Sequence, residues 1–243
     1  MKKLLQIIGP KIDRKQFGGT KNTGTAHYLI EFLTFILYNL DNPESTAVIA
    51  TMIDFSKAFN RIDHNLIITR LADLQVPSWL LRVVMGFLEN RKLKVKFKGA
   101  TSDTKNMPGG GPQGTILGMF LFLILIDPIK FGLEEKIGQI VTSRSFQSMK
   151  TSHYKYMDDL TLAEKIDLKK DLSIDPKIAH PAPFHQRTGH QLIPSKCSTQ
   201  AKVNEISDFA IENEMKVNKN KCSVMIFNRS KKFDFLPSIK LEN

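Results

Sequence analysis

Residues 154–162 read Tyr154-Lys155-Tyr156-Met157-Asp158-Asp159-Leu160-Thr161-Leu162. Apolar and aromatic side chains recur on both sides of the paired aspartates, which predicts two short strands joined by a tight turn. Asp158 and Asp159 then lie near the tip of a hairpin. Paired aspartates are also ordinary turn residues, so the hairpin alone does not separate a functional site from turn chemistry.

A third carboxylate is expected at the end of another strand. The β-branched run Val48–Ile53 ends abruptly at Asp54, as in a buried strand that delivers one side chain at its carboxyl end. Three carboxylates within about 5 Å would repel by on the order of 3 kcal/mol per pair at an effective dielectric near 20, so a cation must offset them. Hard oxygen ligands on strand ends suit Mg²⁺. Two such ions can activate an attacking hydroxyl and stabilise a departing pyrophosphate.

Helices and strands are interleaved along the rest of the chain, without a regular βαβ alternation. Residues 1–25 have the composition of a loop, and the Pro-rich residues 171–198 that of a loop or insertion. Apolar periodicity predicts helices over 26–38, from about Ser56, from Ser78 to near Asn90, over 116–126 and around 203–210, with a strand at 224–227. The inward faces expected of the first three helices are Leu29, Ile30, Leu33, Ile36 and Leu37; Ala58, Phe59, Ile62, Leu66 and Leu71; and Leu80, Val83, Val84 and Phe87. This order favours an α+β fold.

A glycine-rich loop, residues 108–115, precedes the predicted core helix. Small residues let a backbone approach a flat ligand closely, and a helix start favours phosphate. Gln113 in this loop could hydrogen-bond a base or a sugar. The other interpretation is an ordinary loop and helix cap.

The charge balance favours a polyanionic partner. Lysine and arginine number 35 against 24 acidic residues, for a net charge of +11. From Lys92 to Lys98 the residues alternate strictly, which predicts a half-buried strand with Lys92, Lys94, Lys96 and Lys98 on a cationic face. Residues 216–232 form a second basic stretch. Charge runs are often only solvated faces, but two of them in a basic chain favour phosphate contacts.

Cysteine and apolar content exclude several other classes. Cys197 and Cys222 are too few for a disulfide framework or a four-thiolate metal site. His180, His185 and His190 with Cys197 suggest zinc, but no paired cysteines accompany them, so a surface loop is the preferred interpretation. The longest apolar run, 116–126, is about half a membrane span. We therefore expect a soluble intracellular protein, nuclear or cytoplasmic, with no membrane partner.

Five motifs in one order resemble those of reverse transcriptases of the non-LTR (LINE-like) retrotransposon type, from Gln16 to about Pro237. The first, at Gln16-Phe17-Gly18-Gly19 with Thr25 and His27, is similar to the start of the family's fingers–palm junction. The others are the first palm motif at 53–64, the template and nucleotide motif at 112–118, the catalytic hairpin at 156–159, and the motif that closes the palm at 215–218 with Lys221 and 224–227.

The resemblance implies a role for individual residues. Asp54 and Asp158 would hold two Mg²⁺ ions, with Mn²⁺ as an alternative, supported by Asp159 and by the main-chain carbonyl of Phe55. Lys221 would protonate or neutralise pyrophosphate. Further residues implied at the nucleotide are Phe59, as an aromatic wall against the sugar 2′ position, and Gln113 and Gly114, which would line the template and nucleotide pocket. Plain helix core is the alternative for Phe59.

The activity implied is that of an RNA-directed DNA polymerase, a nucleotidyltransferase that uses an RNA template, a DNA primer and deoxynucleoside triphosphates. The implied organisation is a partial fingers region at 1–45, a palm at 46–237 with an antiparallel sheet backed by helices and an insertion at 171–198, and a truncated tail at 238–243. Two alternatives stay open: a catalytically inactive remnant that binds nucleic acid, and an RNA-dependent RNA polymerase. Asn60 for a common Asp and Cys222 for a usual Thr depart from the family pattern.

Overall fold

The computed structural model describes residues 1–41, 46–56, 59, 62–107, 109–112, 114–131, 150–167 and 198–229. Gln113, the His180–Cys197 stretch, nearly all of the predicted insertion and the 238–243 tail therefore lie outside the described residues. In chain order the elements are α1 (Lys2–Ile8), α2 (Thr25–Leu40), β1 (Thr46–Ile53), β2 (Phe55–Ser56), α3 (His64–Asp73), α4 (Ser78–Leu88), β3 (Lys92–Leu93), β4 (Lys96–Phe97), β5 (Ala100–Thr101), β6 (Lys105–Asn106), α5 (Ile116–Ile126), β7 (Thr151–Tyr156), β8 (Asp159–Asp167), α6 (Ser198–Glu212), β9 (Lys216–Val217) and β10 (Ser223–Phe227).

An antiparallel sheet of four strands, in the order β10-β1-β8-β7, forms the centre of the fold. The predicted strand at 48–53 is the inner strand β1, and the predicted hairpin at 154–162 is β7 and β8. The continuous apolar character of β1 follows from its position, because both of its faces are covered. The strand predicted at 224–227 is β10, at the edge.

Helices cover both faces of the sheet. On one face α2 packs through Phe32 and Phe35 against Tyr154 and Ala50. On the other face α5 lies in the larger core, and its residues 120–126 are all buried. Helices α3, α4 and α6 contribute buried residues to the same core, so the helix predicted at 116–126 is a core helix, as expected. No helix in the described part of the chain is long and apolar enough to cross a membrane.

Buried and half-buried polar groups hold the helices against this core. The Arg70 guanidinium of α3 donates hydrogen bonds to the carbonyls of Ile124 and Leu125 at the end of α5, and to Asn213 Oδ1 at 2.6 Å. The buried Glu164 carboxylate of β8 accepts hydrogen bonds from the Ser198 hydroxyl at 2.5 Å and from Thr199 at the start of α6. These contacts fix α3, α5, α6 and the sheet relative to one another.

The predictions for residues 2–8 and for the start of α3 are wrong. Residues 2–8 form a helix rather than a loop, because Leu4 and Ile8 are buried in the main core. The helix predicted from Ser56 begins only at His64, since Ser56 pairs with Lys216 in a short ladder. The Asp63 carboxylate accepts hydrogen bonds from the amides of residues 65 and 66, so it caps the helix at its true start.

The predicted inward face of α2 is also wrong. Ile36 is buried as predicted, but Leu29, Ile30, Leu33 and Leu37 are exposed, and Phe32 and Phe35 are buried in their place. The helix is apolar almost all round, so periodicity permits either face. The sheet is covered by the aromatic face because Phe side chains bury more apolar area than Leu and meet Tyr154 edge-to-face. In α4, Val83 is likewise exposed and Leu88 is buried.

The strand predicted at 92–98 is not half-buried. Residues 92–106 form a projecting ribbon in which β3 pairs with β6 and β4 pairs with β5, and every residue of it is exposed. Leu93, Val95 and Phe97, which were expected to face a core, lie in solvent. The alternation is correct for a strand, but a two-stranded ribbon that leaves the body of the protein has no layer against which to bury one face.

Candidate active site

Asp54 and Asp159 come together at one end of the central sheet. Ile53 of β1 is paired with Leu160 of β8, so Asp54 and Asp159 occupy the next position of the same antiparallel ladder. The strand end and the hairpin tip, about 100 residues apart in the chain, therefore lie at one edge of the sheet.

Asp158 lies beside them in the turn of the hairpin. Tyr156 and Asp159 form the last pair of β7 and β8, which leaves a two-residue turn of Met157 and Asp158. Met157 has a φ of 58°, at a turn position that glycine usually occupies. The turn is therefore tight, and it projects Asp158 at the tip and Asp159 at the first position of β8.

The three acids share one electrostatic environment. Burial raises the pKa of Asp159, and the negative charges of Asp158 and Asp54 raise it further, whereas the positive charge of Lys221 lowers it. The net direction is upward, so the lysine does not offset burial and repulsion together. An incompletely neutralised cluster of carboxylates is suited to a cation.

A basic loop completes this edge. The amide of Asn218 donates to the Asp54 carbonyl at 2.8 Å, and the amide of Asp54 donates to Cys222 Sγ at 3.5 Å. Burial raises the pKa of the Cys222 thiol, so it lies there as a neutral acceptor. Between these two contacts Lys221 is exposed and lines a cleft of about 500 Å³ together with Asp54 and Asp159.

The side chains do not form a finished metal cage. Among the residues that the structure describes, no group of three or more His, Cys, Asp or Glu side chains is arranged to hold a metal ion. The carboxylates thus act on one another electrostatically and lie next to each other at the end of the sheet, but they are not gathered as closely as expected. Divalent-cation binding at this edge stays a prediction.

The predicted nucleotide residues differ in their surroundings. Phe55 is buried and pairs with Val217 through the β2–β9 ladder. Phe59 is half-buried, and its ring centroid lies 4.6 Å from that of Phe122 in α5, so at least part of it serves the core. Gly114 is exposed with a φ of 81°, and Gln113 lies outside the described residues.

The glycine-rich loop is held by two residues that sequence reasoning missed. Arg91 donates hydrogen bonds to the carbonyls of Gly109 and Gly110, and His64 Nε2 lies 2.9 Å from the same Gly110 carbonyl. The amide of Gly111 donates to the Phe59 carbonyl at 2.6 Å, which joins the loop to the first palm motif. A lone Arg and a lone His carry no sequence signal for such a role, because their partners are main-chain atoms.

A cavity larger than this cleft lies elsewhere among the described residues. It has a volume of about 1170 Å³ between α3, α4, the glycine-rich loop and the end of α6, and none of the three carboxylates lines it. Lys219 faces this cavity, whereas Lys221 of the same loop faces the carboxylate cleft. We place the candidate active site at the smaller cleft because Asp54 and Asp159 line it.

Comparison with known proteins assigns the family. A family model described as "Reverse transcriptase (RNA-dependent DNA polymerase)" matches residues 1–238. The chain belongs to the reverse transcriptase family. The resemblance to reverse transcriptases is thereby confirmed.

Curated relatives of this reverse transcriptase chain come from mobile elements. The RNA-directed DNA polymerase from mobile element jockey of Drosophila melanogaster is 32% identical over 113 residues, and the probable RNA-directed DNA polymerase from transposon BS of the same species is 29% identical over 109 residues. These stretches are 46% and 45% of this chain, but 12% of each relative. The chain therefore spans a small part of the length of the curated relatives it matches.

Solved telomerase structures from Candida tropicalis share the fold of this reverse transcriptase chain. A complex with the TWJ fragment of telomeric RNA has a TM-score of 0.56 at 13% identity, over 93% of this chain and 34% of that chain. An apo form truncated from the C-terminal domain has a TM-score of 0.53 at 11% identity, over 95% of this chain and 40% of that chain. The predicted α+β, palm-like fold is confirmed.

Proposed function

We propose that the chain is an RNA-directed DNA polymerase domain of a non-LTR retrotransposon, which adds deoxynucleotides to a primer 3′ end on an RNA template. The observation that carries this proposal is the placement of Asp54 and Asp159 with Lys221 in one cleft at the end of the sheet, where the charge of the neighbouring Asp158 also acts on Asp159. Acids that repel one another beside a lysine are suited to a divalent cation and a polyphosphate.

Reverse transcriptases normally use a divalent metal, and the chemistry of this edge fits one because its carboxylates repel one another. Asp54 and Asp158 would hold two Mg²⁺ ions, with Asp159 beside them and the main-chain carbonyl of Phe55 as a further oxygen ligand. Mn²⁺ prefers the same oxygen ligands and would serve in its place. When bound, such ions supply charge that favours attack by the primer hydroxyl and departure of pyrophosphate.

Lys221 acts on the leaving group in this proposal. Its side chain faces the carboxylate cleft, and its charge acts on Asp159. A lysine in that place neutralises or protonates pyrophosphate as the bond to the incoming nucleotide breaks. The loop that carries Lys221 also holds the Asp54 backbone through the Asn218 amide. The proposed metal ligand and the proposed leaving-group lysine are therefore positioned by one segment.

The nucleotide itself is positioned by the aromatic and glycine residues. Phe59 would stand against the sugar 2′ position and exclude ribonucleotides by shape, while Gln113 and Gly114 would line the template and nucleotide pocket. The contact between Phe59 and Phe122 supports this role, because a ring fixed on the core helix is a firmer steric barrier than a free one.

The ribbon at 92–106 extends the nucleic-acid surface. It carries Lys92, Lys94, Lys96, Lys98 and Lys105 against Asp103, all exposed. Lysines that line a projecting ribbon make phosphate contacts without reading sequence. RNA template and DNA primer are the partners this charge fits, and we propose that the protein acts on them inside the cell, in the nucleus or the cytoplasm.

Primer extension on an RNA template with Mg²⁺ tests the proposal. Wild type should incorporate deoxynucleotides, Asp158→Asn should lose incorporation by at least about 100-fold, and Asp208→Asn, at an exposed position of α6, is the matched control and should keep it. Equal incorporation by wild type and Asp158→Asn contradicts the proposal. Salt-sensitive nucleic-acid binding with no synthesis identifies an inactive remnant instead.

A further inference from the structure

We propose that Gln16 and Gly18 are positioning residues that hold the Met157-Asp158 turn, and with it the two hairpin aspartates, in one place. The catalytic consequence rests on the proposed function, whereas the structural role does not. The contacts involve the first sequence motif, for which no chemical role follows from the residue types alone.

The main chain around Gln16 pairs with the outer edge of β7 through a single bridge. The amide of Lys155 donates to the Lys15 carbonyl, and the amide of Phe17 donates to the Lys155 carbonyl, both at 2.8 Å. Gln16 and Lys155 therefore form a parallel bridge. This bridge brings the Gln16 side chain level with the turn two residues further along.

The Gln16 side chain then reaches the turn itself. It is 1% exposed, and its Oε1 accepts hydrogen bonds from the amide of Met157 at 3.2 Å and from the amide of Gly18 at 3.1 Å. Met157 has a positive φ, which residues other than glycine rarely adopt, so its backbone conformation depends on contacts from other segments. One buried acceptor thus joins the turn to the preceding motif.

Residue 18 must be glycine because the Met157-Asp158 turn packs directly against its backbone. A Cβ atom at residue 18 would lie 2.5 Å from Met157 N and 2.8 Å from Met157 Cγ. The backbone nitrogen cannot give way without moving the turn. Any larger residue at position 18 should therefore displace Met157, and the aspartates that follow it.

A buried ion pair anchors the segment that carries this contact. Asp13 Oδ2 lies 2.8 Å from Lys155 Nζ and 2.5 Å from His153 Nε2, and the Asp13 amide donates to Asp127 Oδ1 at 2.7 Å. Asp127 follows the last residue of α5. The turn is consequently held from the core helix and from β7, and not from a free loop.

Hydrogen exchange in the full chain tests the structural part. Gln16→Leu removes the acceptor, so amide exchange in residues 156–159 should rise by about 10-fold while β1 exchange stays unchanged. Gly18→Ala should act in the same direction. Gly9→Ala is the matched control, because a Cβ at Gly9 meets nothing within 4 Å. Unchanged exchange in both variants overturns the proposal.

Gln16→Glu separates positioning from general stability. Burial at position 16 favours the neutral, protonated form of Glu, which keeps an Oε acceptor. Gln16 Nε2 has no hydrogen-bond partner among the described residues, so this change loses no donor contact. Wild-type exchange at the turn is expected. If Gln16→Glu and Gln16→Leu behave alike, or if β1 exchange rises as much as turn exchange, Gln16 has no specific positioning role.

Primer extension reads out the catalytic part. Gln16→Leu should lower kcat by about 100-fold with little change in KM for the nucleotide, and Gln16→Glu should restore it. Asp158-dependent synthesis that is unaffected by Gln16→Leu and Gly18→Ala overturns this inference and leaves the proposed function standing. Faster turn exchange in the two variants, with no Asp158-dependent synthesis in the wild type, supports the positioning and contradicts the proposed function.

Discussion

Asp13 and Lys155 form an ion pair of 2.8 Å that is almost completely shielded from solvent, directly behind the hairpin that carries Asp158. Burial opposes charge on both groups, and each charge is retained through the other. Burial lowers the pKa of Lys155, while the Asp13 carboxylate raises it. Removing one partner therefore leaves an uncompensated buried charge.

Asp13→Asn should destabilise the protein by about 3 kcal/mol or more in denaturant unfolding, because it strands the Lys155 ammonium in the interior. The Asp41–Arg229 pair is the control, since both side chains are 65% exposed. Asp41→Asn should cost less than about 1 kcal/mol. Similar losses of unfolding free energy in the two variants would show that the buried pair contributes no more to stability than the exposed one.

The same pair predicts a pH dependence. Burial raises the pKa of Asp13, but the hydrogen bond from His153 and the charge of Lys155 outweigh it and hold the pKa well below its ordinary value of 3.8. The stabilisation is complete above that unfolded value and is lost as the pH falls toward the folded one.

The difference in unfolding free energy between wild type and Asp13→Asn should therefore be constant above about pH 5 and shrink as the pH falls below it. Chemical denaturation from pH 3 to pH 7 measures it. A difference that is the same at pH 3 as at pH 7 is incompatible with the depressed pKa of Asp13.

Much of the sheet could be predicted from the sequence, because its signals are local. The run that ends at Asp54 and the alternation around Asp158 are typical of strands, and both strands form. The face of α2 could not be predicted, since Leu33 and Phe32 both satisfy helical periodicity and the choice depends on which face meets Tyr154. Composition cannot encode that choice.

The acidic residues of the candidate site could be predicted from the sequence, but the residues that hold them and the glycine-rich loop in place could not. Asp54, Asp159 and Lys221 were expected at one place from the family pattern, and the structure brings them to one cleft. Gln16 and Arg91 act through main-chain atoms of other segments, and such partners leave no trace in residue type or spacing. The ribbon lysines were predicted to form one face of a strand. The exposure of the other, apolar face could not be predicted, because it depends on where the ribbon lies relative to the core.

Substitution of the four ribbon lysines, at 92, 94, 96 and 98, by Gln should weaken binding of single-stranded RNA and reduce its salt dependence. Removing one lysine–phosphate interaction lowers the slope of log K against log salt by about 0.7, so the expected reduction for four is up to about 3. Fluorescence anisotropy at several salt concentrations measures it. Lys130→Gln, an exposed lysine outside the ribbon, should leave the slope nearly unchanged; an unaltered slope in the fourfold variant rules out the ribbon as a phosphate surface.

Phe59→Val tests the sugar wall. The smaller side chain should raise ribonucleotide incorporation relative to deoxynucleotide incorporation by about 10-fold or more. Removal of the ring that packs on Phe122 should also cost about 1 kcal/mol of stability or more. Competition assays with both nucleotide types, and denaturant unfolding, measure the two effects. A stability loss with unchanged sugar preference would assign Phe59 to the core alone.

The most direct test of the carboxylate site is the stoichiometry of Mn²⁺ binding, measured by electron paramagnetic resonance with an RNA template, a DNA primer and a deoxynucleotide present. We predict two bound ions per chain in wild type, with loss of tight binding in Asp54→Asn and in Asp158→Asn, and no loss in Asp208→Asn. Equal Mn²⁺ binding by wild type, Asp54→Asn and Asp158→Asn would contradict a metal-dependent polymerase site at this edge of the sheet.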